Sequence, residues 1–292
     1  MKKNKKDSEI DFVSSSSFQK SIRKTKWKQL ILYTFISIIT LIVFIFCFYS
    51  GTQYLINKKI DHNTRQSLGQ TKGAGISNQT TRYYYNTLNA IGETTYYKKI
   101  GNRNFVWNTE RKKYPAIGRV EVLSRGSGMT EINEMDIEAQ RVVRYNQLNN
   151  ERIVDFYYPR VEYDYLPNEL DIAVGLDKNK LIEVALSFNK PMSSNELAEI
   201  LGYKNVDWLW TEQYTEKQMK EINKLDGDSL KVKNGDNASG FSVTEKYPYE
   251  ENLTGDTTIS GAIISGTPQD LERFQNLDII RASVIGVTID KY

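Results

Sequence analysis

The sequence predicts an α+β protein carried on a single membrane-spanning helix, with a β-rich extracytoplasmic region and a ferredoxin-like (βαββαβ) C-terminal domain. Three observations lead there. Leu30 to Tyr49 is a 20-residue run without a charge. Aromatic and β-branched residues cluster in short runs from Thr81 onward. After residue 180, the order strand, helix, strand occurs twice.

The apolar run comes first. Fourteen of its residues are Leu, Ile, Val or Phe, and at roughly −0.3 to −0.6 kcal/mol each near a bilayer centre they favour insertion by about 4 to 8 kcal/mol. A cleavable signal peptide has a shorter apolar core ending in small residues. Here Phe46, Phe48 and Tyr49 extend the run up to Ser50 and Gly51. Phe46 also occupies the position before Cys47 where lipoprotein processing needs a small residue. No second run of comparable length exists in the sequence, which excludes a multispanning protein. The formal charge of +3 divides unevenly: residues 1–28 carry nine Lys/Arg against Asp7, Glu9 and Asp11 (+6), and the remainder stands at −3. Only Lys58, Lys59 and Arg65 follow closely on the other side. Positive residues stay in the cytoplasm, so the expected localisation is the cell membrane, with the N-terminus cytoplasmic and the C-terminal domain extracellular.

Cysteine and histidine limit the chemistry. Cys47 is the one cysteine, so the outer region has no disulfide, and with more than 220 residues it can build a core without one. Sequons at Asn78, Asn237 and Asn252 then read as accidents of an Asn-rich bacterial surface chain. His62 is the lone histidine, which excludes a Ser-His-Asp triad or a His-rich zinc site. No cofactor or metal site is expected. Asp226-Gly227-Asp228-Ser229 resembles the start of a calcium loop but lacks its third oxygen ligand and closing Glu, and reads as a turn. The acidic pairs Glu162/Asp164 and Glu250/Glu251 read as solvated charge, so the chain is not expected to be an enzyme. Basic residues outside the membrane do not interleave with aromatics, so direct nucleic-acid binding is not expected.

The segments follow in order. Residues 1–29 form a basic tail with a Ser14 to Ser17 tract, and 30–50 form the transmembrane helix. Residues 51–80, rich in Gly, Asn, Gln and Thr, are expected to be a partly ordered stalk. Residues 81–150 form a membrane-proximal β-rich domain, with strands at Tyr83 to Tyr85, Tyr96-Tyr97, Phe105 to Trp107 and Gly118 to Leu123. Met135 to Leu148, with Ile137, Val142, Val143 and Leu148 on a loose stripe, is expected to be a helix.

Residues 151–292 form the C-terminal α+β sensor or interaction domain. Leu181 to Phe188 reads as a strand, and Ser193 to Glu196 as a capping box that opens a helix through Leu197, Ile200 and Leu201, with Gly202 as its stop. Val206, Trp208 and Trp210 alternate on one strand face. Tyr214 to Asp256 is a looser insertion with a helix begun by Thr215 and Gln218. Thr257 to Ser265 is a strand, Thr267 an N-cap before Pro268, Leu271, Phe274 and Leu277 a helical stripe, and Ile279 to Ile289 a final strand.

Ala185 to Ser193, Glu196-Leu197, Val206 to Trp210, Ser265 to Pro268 and Ile280 to Val287 together resemble the C-terminal domain of the sigma factor regulator family. The basic tail, single span and Tyr/Trp-rich first domain are similar to that family's N-terminal region. The resemblance implies a membrane-bound anti-sigma factor of Gram-positive bacteria, which sequesters an extracytoplasmic-function sigma factor and regulates transcription in response to envelope stress. It implies the sigma factor as partner beside membrane lipid, and leaves room for a second membrane regulator.

A tail of this length has no core, so sigma-factor binding requires a segment that folds on its partner. Ile10, Phe12 and Val13 form one apolar cluster, and Phe18 and Ile22 lie four apart on a helix leading to Trp27. Phe12, Val13, Phe18 and Ile22 are the candidate partner-binding residues. The neighbouring Lys/Arg also set topology and attract anionic lipid. The alternative is a signal-anchored surface protein whose ectodomain binds a wall polymer or partner protein, with tyrosines 83–85, 157/158 and 163/165 as an aromatic face or as strand packing.

Overall fold

The computed structural model describes residues 16–67, 71–126, 132–136, 141–211, 214–243 and 258–292. Helix α1 (Ser16–Ser67) is one 52-residue element. Its apolar section is long enough to cross a membrane and has no protein packed against it, which fits membrane anchoring. Hydroxyls within that section turn back on the helix itself: Thr34 donates to the Leu30 carbonyl and Thr40 to that of Ile36, both at 2.9 Å.

The expected stalk is helical as far as Ser67. Ile56 and Ile60, four apart and buried, form a stripe that packs on Ala90, Tyr114 and Ala116, and the polar Gln53, Asn57 and Asn63 bond to the meander beside it. Strand β1 (Thr71–Lys72) follows, and Ala74 is already in the core. An antiparallel meander comes next: β2 (Ile76–Tyr85), β3 (Asn89–Ile100), β4 (Arg103–Pro115) and β5 (Glu121–Arg125). The clustered tyrosines and the Phe105 to Trp107 run lie in these strands as expected.

The described residues of the expected helix over Met135 to Leu148 are strands and a turn instead, and Ile137 lies outside the described residues. Strands β6 (Ile132–Asp136) and β7 (Arg141–Asn146) pair with Met135 opposite Val142, and β8 (Glu151–Ile153) adds a third strand. Adjacent Val142 and Val143 favour extended backbone, and burial of Arg141 and Val143 follows a period of two.

The chain then forms β9 (Asp155–Phe156), α2 (Leu170–Val174), β10 (Lys180–Met192), α3 (Ser194–Leu201) and β11 (Val206–Trp210). The insertion supplies α4 (Glu216–Asn223), α5 (Asp228–Lys231), β12 (Lys233–Asn234) and β13 (Ser239–Ser242). β14 (Ile259–Gly266), α6 (Pro268–Leu271) and β15 (Ile280–Asp290) complete the chain. α6 is shorter than its apolar stripe suggested, because a 3-10 turn takes over at Glu272–Phe274. Of the calcium-like segment, only Asp226-Gly227 bends as expected; Gly227 caps α5, which takes in Asp228 and Ser229, and Asp228 accepts from the Tyr165 amide.

Capping follows the sequence closely. Thr215 with Gln218 and Thr267 with Asp270 form reciprocal boxes. Ser193 accepts from the Glu196 amide, but the Glu196 carboxylate pairs with Lys190 instead of completing its box. Gly202 ends α3 at φ 61°, a conformation that a side chain would strain.

Six strands form one sheet in the order β1-β13-β11-β14-β10-β15, with every pairing antiparallel. Its two faces have separate cores, as strand alternation requires. Val184, Leu186, Leu209 and Ile264 meet Leu197, Leu201, Leu271 and Phe274 from the helices. Ala185, Trp208, Trp210 and Ile263 point the other way, into Val154, Phe156 and Tyr158. A third core of Ile76, Ile100, Trp107, Ile153, Leu181 and Val287 joins the four-stranded meander to this sheet.

Candidate functional site

Of the four residues expected to bind a partner, Phe12 and Val13 lie outside the described residues. Phe18 and Ile22 are on the first turns of α1, one turn apart, with Phe18 partly covered and Ile22 exposed. They share a helix face at the basic end of the molecule.

Sequence reading did not single out a second constellation, the polar joint inside the third core. Glu183 stands on β10 between Ile182 and Val184 and is fully buried. Lys98 of β3, also buried, donates to both Glu183 oxygens at 3.0 Å, and the Val287 amide donates to Oε2 at 3.2 Å. The Lys98 ammonium lies 3.8 Å from the centre of the Trp107 ring. Trp107 Nε1 in turn donates to Asp236 at 2.8 Å, and Asn146 donates to the Trp107 carbonyl at 2.8 Å. Two glycines leave room for the carboxylate. A Cβ on Gly75 would sit 2.5 Å from Glu183 Oε1, and one on Gly286 would strike Oε2.

Beside this pair, Ser265 of β14 donates to Asp207 Oδ2 at 2.5 Å and accepts from the Gly101 amide in the β3–β4 turn at 2.6 Å. Burial pushes the Asp207 carboxyl up to about 7; the Ser265 hydrogen bond and Lys99 pull it down, and Glu183 adds to the rise. A further set of ion pairs fastens β7 to Glu169, the residue before α2, and to Asp155 on β9. Arg141 binds Glu169 through Nε at 3.0 Å and Nη2 at 2.9 Å, and Glu169 also accepts from the Ile285 amide at 2.8 Å. Arg144 grips both Asp155 oxygens, at 2.8 and 2.7 Å.

These groups hold three parts of the chain together. Among the described residues no three His, Cys, Asp or Glu side chains converge as a metal site. The sequence did carry a signal for the joint: a lone Glu in the apolar run Leu-Ile-Glu-Val-Ala-Leu, and a lone Asp between Val206 and Trp208. A charge on a strand covered on both faces requires a buried partner. The tyrosines at 157 and 158 are buried, and Tyr163 packs edge-on against Tyr157, so they are packing and not an open face; burial also raises the Tyr157 and Tyr163 hydroxyls above their ordinary range.

Comparison with known proteins bears on the C-terminal part. No curated protein and no solved structure matches the chain. Residues 174–258 match the family model described as sigma factor regulator C-terminal. The matched stretch runs from the end of α2 to the residue before β14 and contains both Glu183 and Asp207. β14 lies between β10 and β11, so the residues beyond the match complete the sheet that the matched strands begin. Through this match, residues 174–258 are similar to the C-terminal domain of sigma factor regulators.

Proposed function

We propose that the chain is a membrane-anchored anti-sigma factor of a Gram-positive bacterium. The tail of residues 1–29 lies in the cytoplasm and holds an extracytoplasmic-function sigma factor through Phe12, Val13, Phe18 and Ile22. Residues 30–50 cross the membrane, and the folded part lies outside, where it responds to envelope stress. One observation carries this reading: the sigma factor regulator match lies on the far side of an uncovered apolar helix from the basic tail. A bilayer between them leaves the tail as the part that can reach a transcription factor. A tail this short gains its contacts by ordering on the partner, and helical spacing of Phe18 and Ile22 lowers that cost.

The order β11-β14-β10-β15, all antiparallel, with α3 joining β10 to β11 and α6 joining β14 to β15, supports a ferredoxin-like reading of the C-terminal domain. A continuous helix supports signal transfer as well. At 1.5 Å per residue α1 is a rod of about 78 Å. Its far end is seated on the meander by Ile56, Ile60 and Lys59, whose ammonium binds the carbonyls of Pro115, Ala116 and Gly118 at 2.5, 3.0 and 2.9 Å. Displacement of the sheet therefore tilts or turns the rod as a unit.

The test uses the intact protein in its host. A photo-crosslinking residue at Ile22 should yield an adduct that mass spectrometry identifies as a sigma factor. Cysteines placed at Ser21 and Asp226, on a Cys47→Ser background, should be protected from and open to an impermeant maleimide on whole cells, respectively. An adduct to lipid alone, or the reverse labelling pattern, would overturn the proposal.

A further inference from the structure

The end of the meander that faces the membrane helix carries bare apolar tips. Leu88, in the β2–β3 turn, is 54% exposed, and Ile117, in the β4–β5 turn, is 86% exposed. They stand side by side, since the Ala116 amide donates to the Leu88 carbonyl at 2.8 Å. α1 fixes their height. Gln53 donates to the carbonyl of Asn86 at 3.0 Å, and Gln53 is four residues, about 6 Å along the axis, past Tyr49, where the apolar run ends. Lys59 reaches the 115–118 turn, and helical side chains lean toward the N-terminus, here toward the apolar run. The headgroup layer extends about 5 to 8 Å beyond the hydrocarbon on each side. Both turns therefore sit within it when α1 spans the bilayer. Arg119, exposed two residues from Ile117, adds positive charge suited to anionic headgroups, and Tyr54, 66% exposed next to Gln53 on the helix, has the ring that favours this layer.

The geometry points to a second membrane contact: the turns bearing Leu88 and Ile117 dip into the lipid interface next to α1. This inference rests on α1 crossing the membrane. The occupant is the bilayer itself, because the tips continue the lipid-facing surface of the helix that holds them. The meander is then attached at two places, the helix and the turn tips, which fixes its tilt relative to the membrane plane.

The full-length chain, with Cys47→Ser, is reconstituted in vesicles of three parts phosphatidylcholine to one part phosphatidylglycerol. Nitroxide labels are placed singly through Leu88→Cys, Ile117→Cys, Val43→Cys and Asp226→Cys. Relaxation by oxygen, which concentrates in lipid, is compared with relaxation by a water-soluble nickel chelate. The expected result is an oxygen-to-nickel ratio at 88 and 117 several-fold above that at 226 and below that at 43. Water-like ratios at 88 and 117 with a lipid-like ratio at 43 overturn the inference and leave the span standing. A water-like ratio at 43 overturns both. Labels at 88 and 117 shielded from both reagents, with spin broadening relieved by unlabelled chain, identify a second copy on this surface and also overturn it.

Discussion

Replacing Lys98 by methionine isolates the joint between the meander and the six-stranded sheet. The wild-type ammonium is 2% exposed, binds both oxygens of a carboxylate that is 0% exposed, and lies over the Trp107 ring. Methionine keeps the length of the side chain and removes the charge. Glu183 would then retain only the Val287 amide, and its remaining lone pairs would be closed off from water by the tight approach of Gly75 and Gly286. Breaking a buried pair from one side costs about 3 to 5 kcal/mol, mostly from the charge left unpaired. That corresponds to about two to three and a half decades in the folding equilibrium constant. The assay is a urea titration of the full chain in mild detergent, followed by tryptophan emission, since Trp107, Trp208 and Trp210 are all buried in the two sheets' cores. Adding Glu183→Leu to Lys98→Met should recover most of the loss, because an apolar pair of similar size has no charge to desolvate. A single variant within about 1 kcal/mol of wild type, or a double variant as unstable as the single, would refute the reasoning.

Three other changes have defined outcomes. Asp207 has a folded-state value of about 7 against an ordinary 3.8, so between these limits the folded state binds the extra proton and stability falls as pH rises from about 4 to about 7. The residue keeps a partly exposed edge, so solvent screening reduces the effect to about 1 to 2 kcal/mol; Asp207→Asn should flatten the melting temperature between pH 5 and 8, and an unchanged slope would refute this. Lys59→Met removes three charge-assisted contacts to the 115–118 turn and should cost about 1 to 2 kcal/mol, with faster hydrogen exchange at the Ala116 amide but not at Ile264. Phe18→Asp with Ile22→Asp should leave thermal stability unchanged, since Ile22 is exposed at the far end of α1, while abolishing co-purification of the sigma factor; retained co-purification would remove these residues from the interface.

Local signals were legible where one residue type enforces one conformation. Pro268 after Thr267, Gly202 after Leu201, and Thr215 before Gln218 each marked a helix end that the fold realises. The alternation of Val206, Trp208 and Trp210 placed β11 on the correct face pattern. The paired strands 132–136 and 141–146 were misread as part of a helix because a few apolar residues fit two periods equally well over so short a stretch. Their extended form is decided by Arg141, which buries its guanidinium against Glu169, a residue 28 positions away in the chain. The expectation of a stalk missed the helix for a similar reason: composition counted the polar residues of this section, while Ile56 and Ile60 have meaning only once Ala90 and Tyr114 are beside them.

The sequence by itself determined the apolar run suited to membrane anchoring, the charge asymmetry around it, the α+β character of the C-terminal part and its likeness to sigma factor regulators. These follow from composition and short-range spacing, which act through hydration and local backbone preference. Only the tertiary structure decided that α1 continues as a rod past the apolar run onto the meander, and that Lys98 and Glu183, 85 residues apart, close on each other. The physical reason is that a buried charge is tolerated only where an opposite charge and backbone donors reach it. Which residues supply them depends on how distant strands come together.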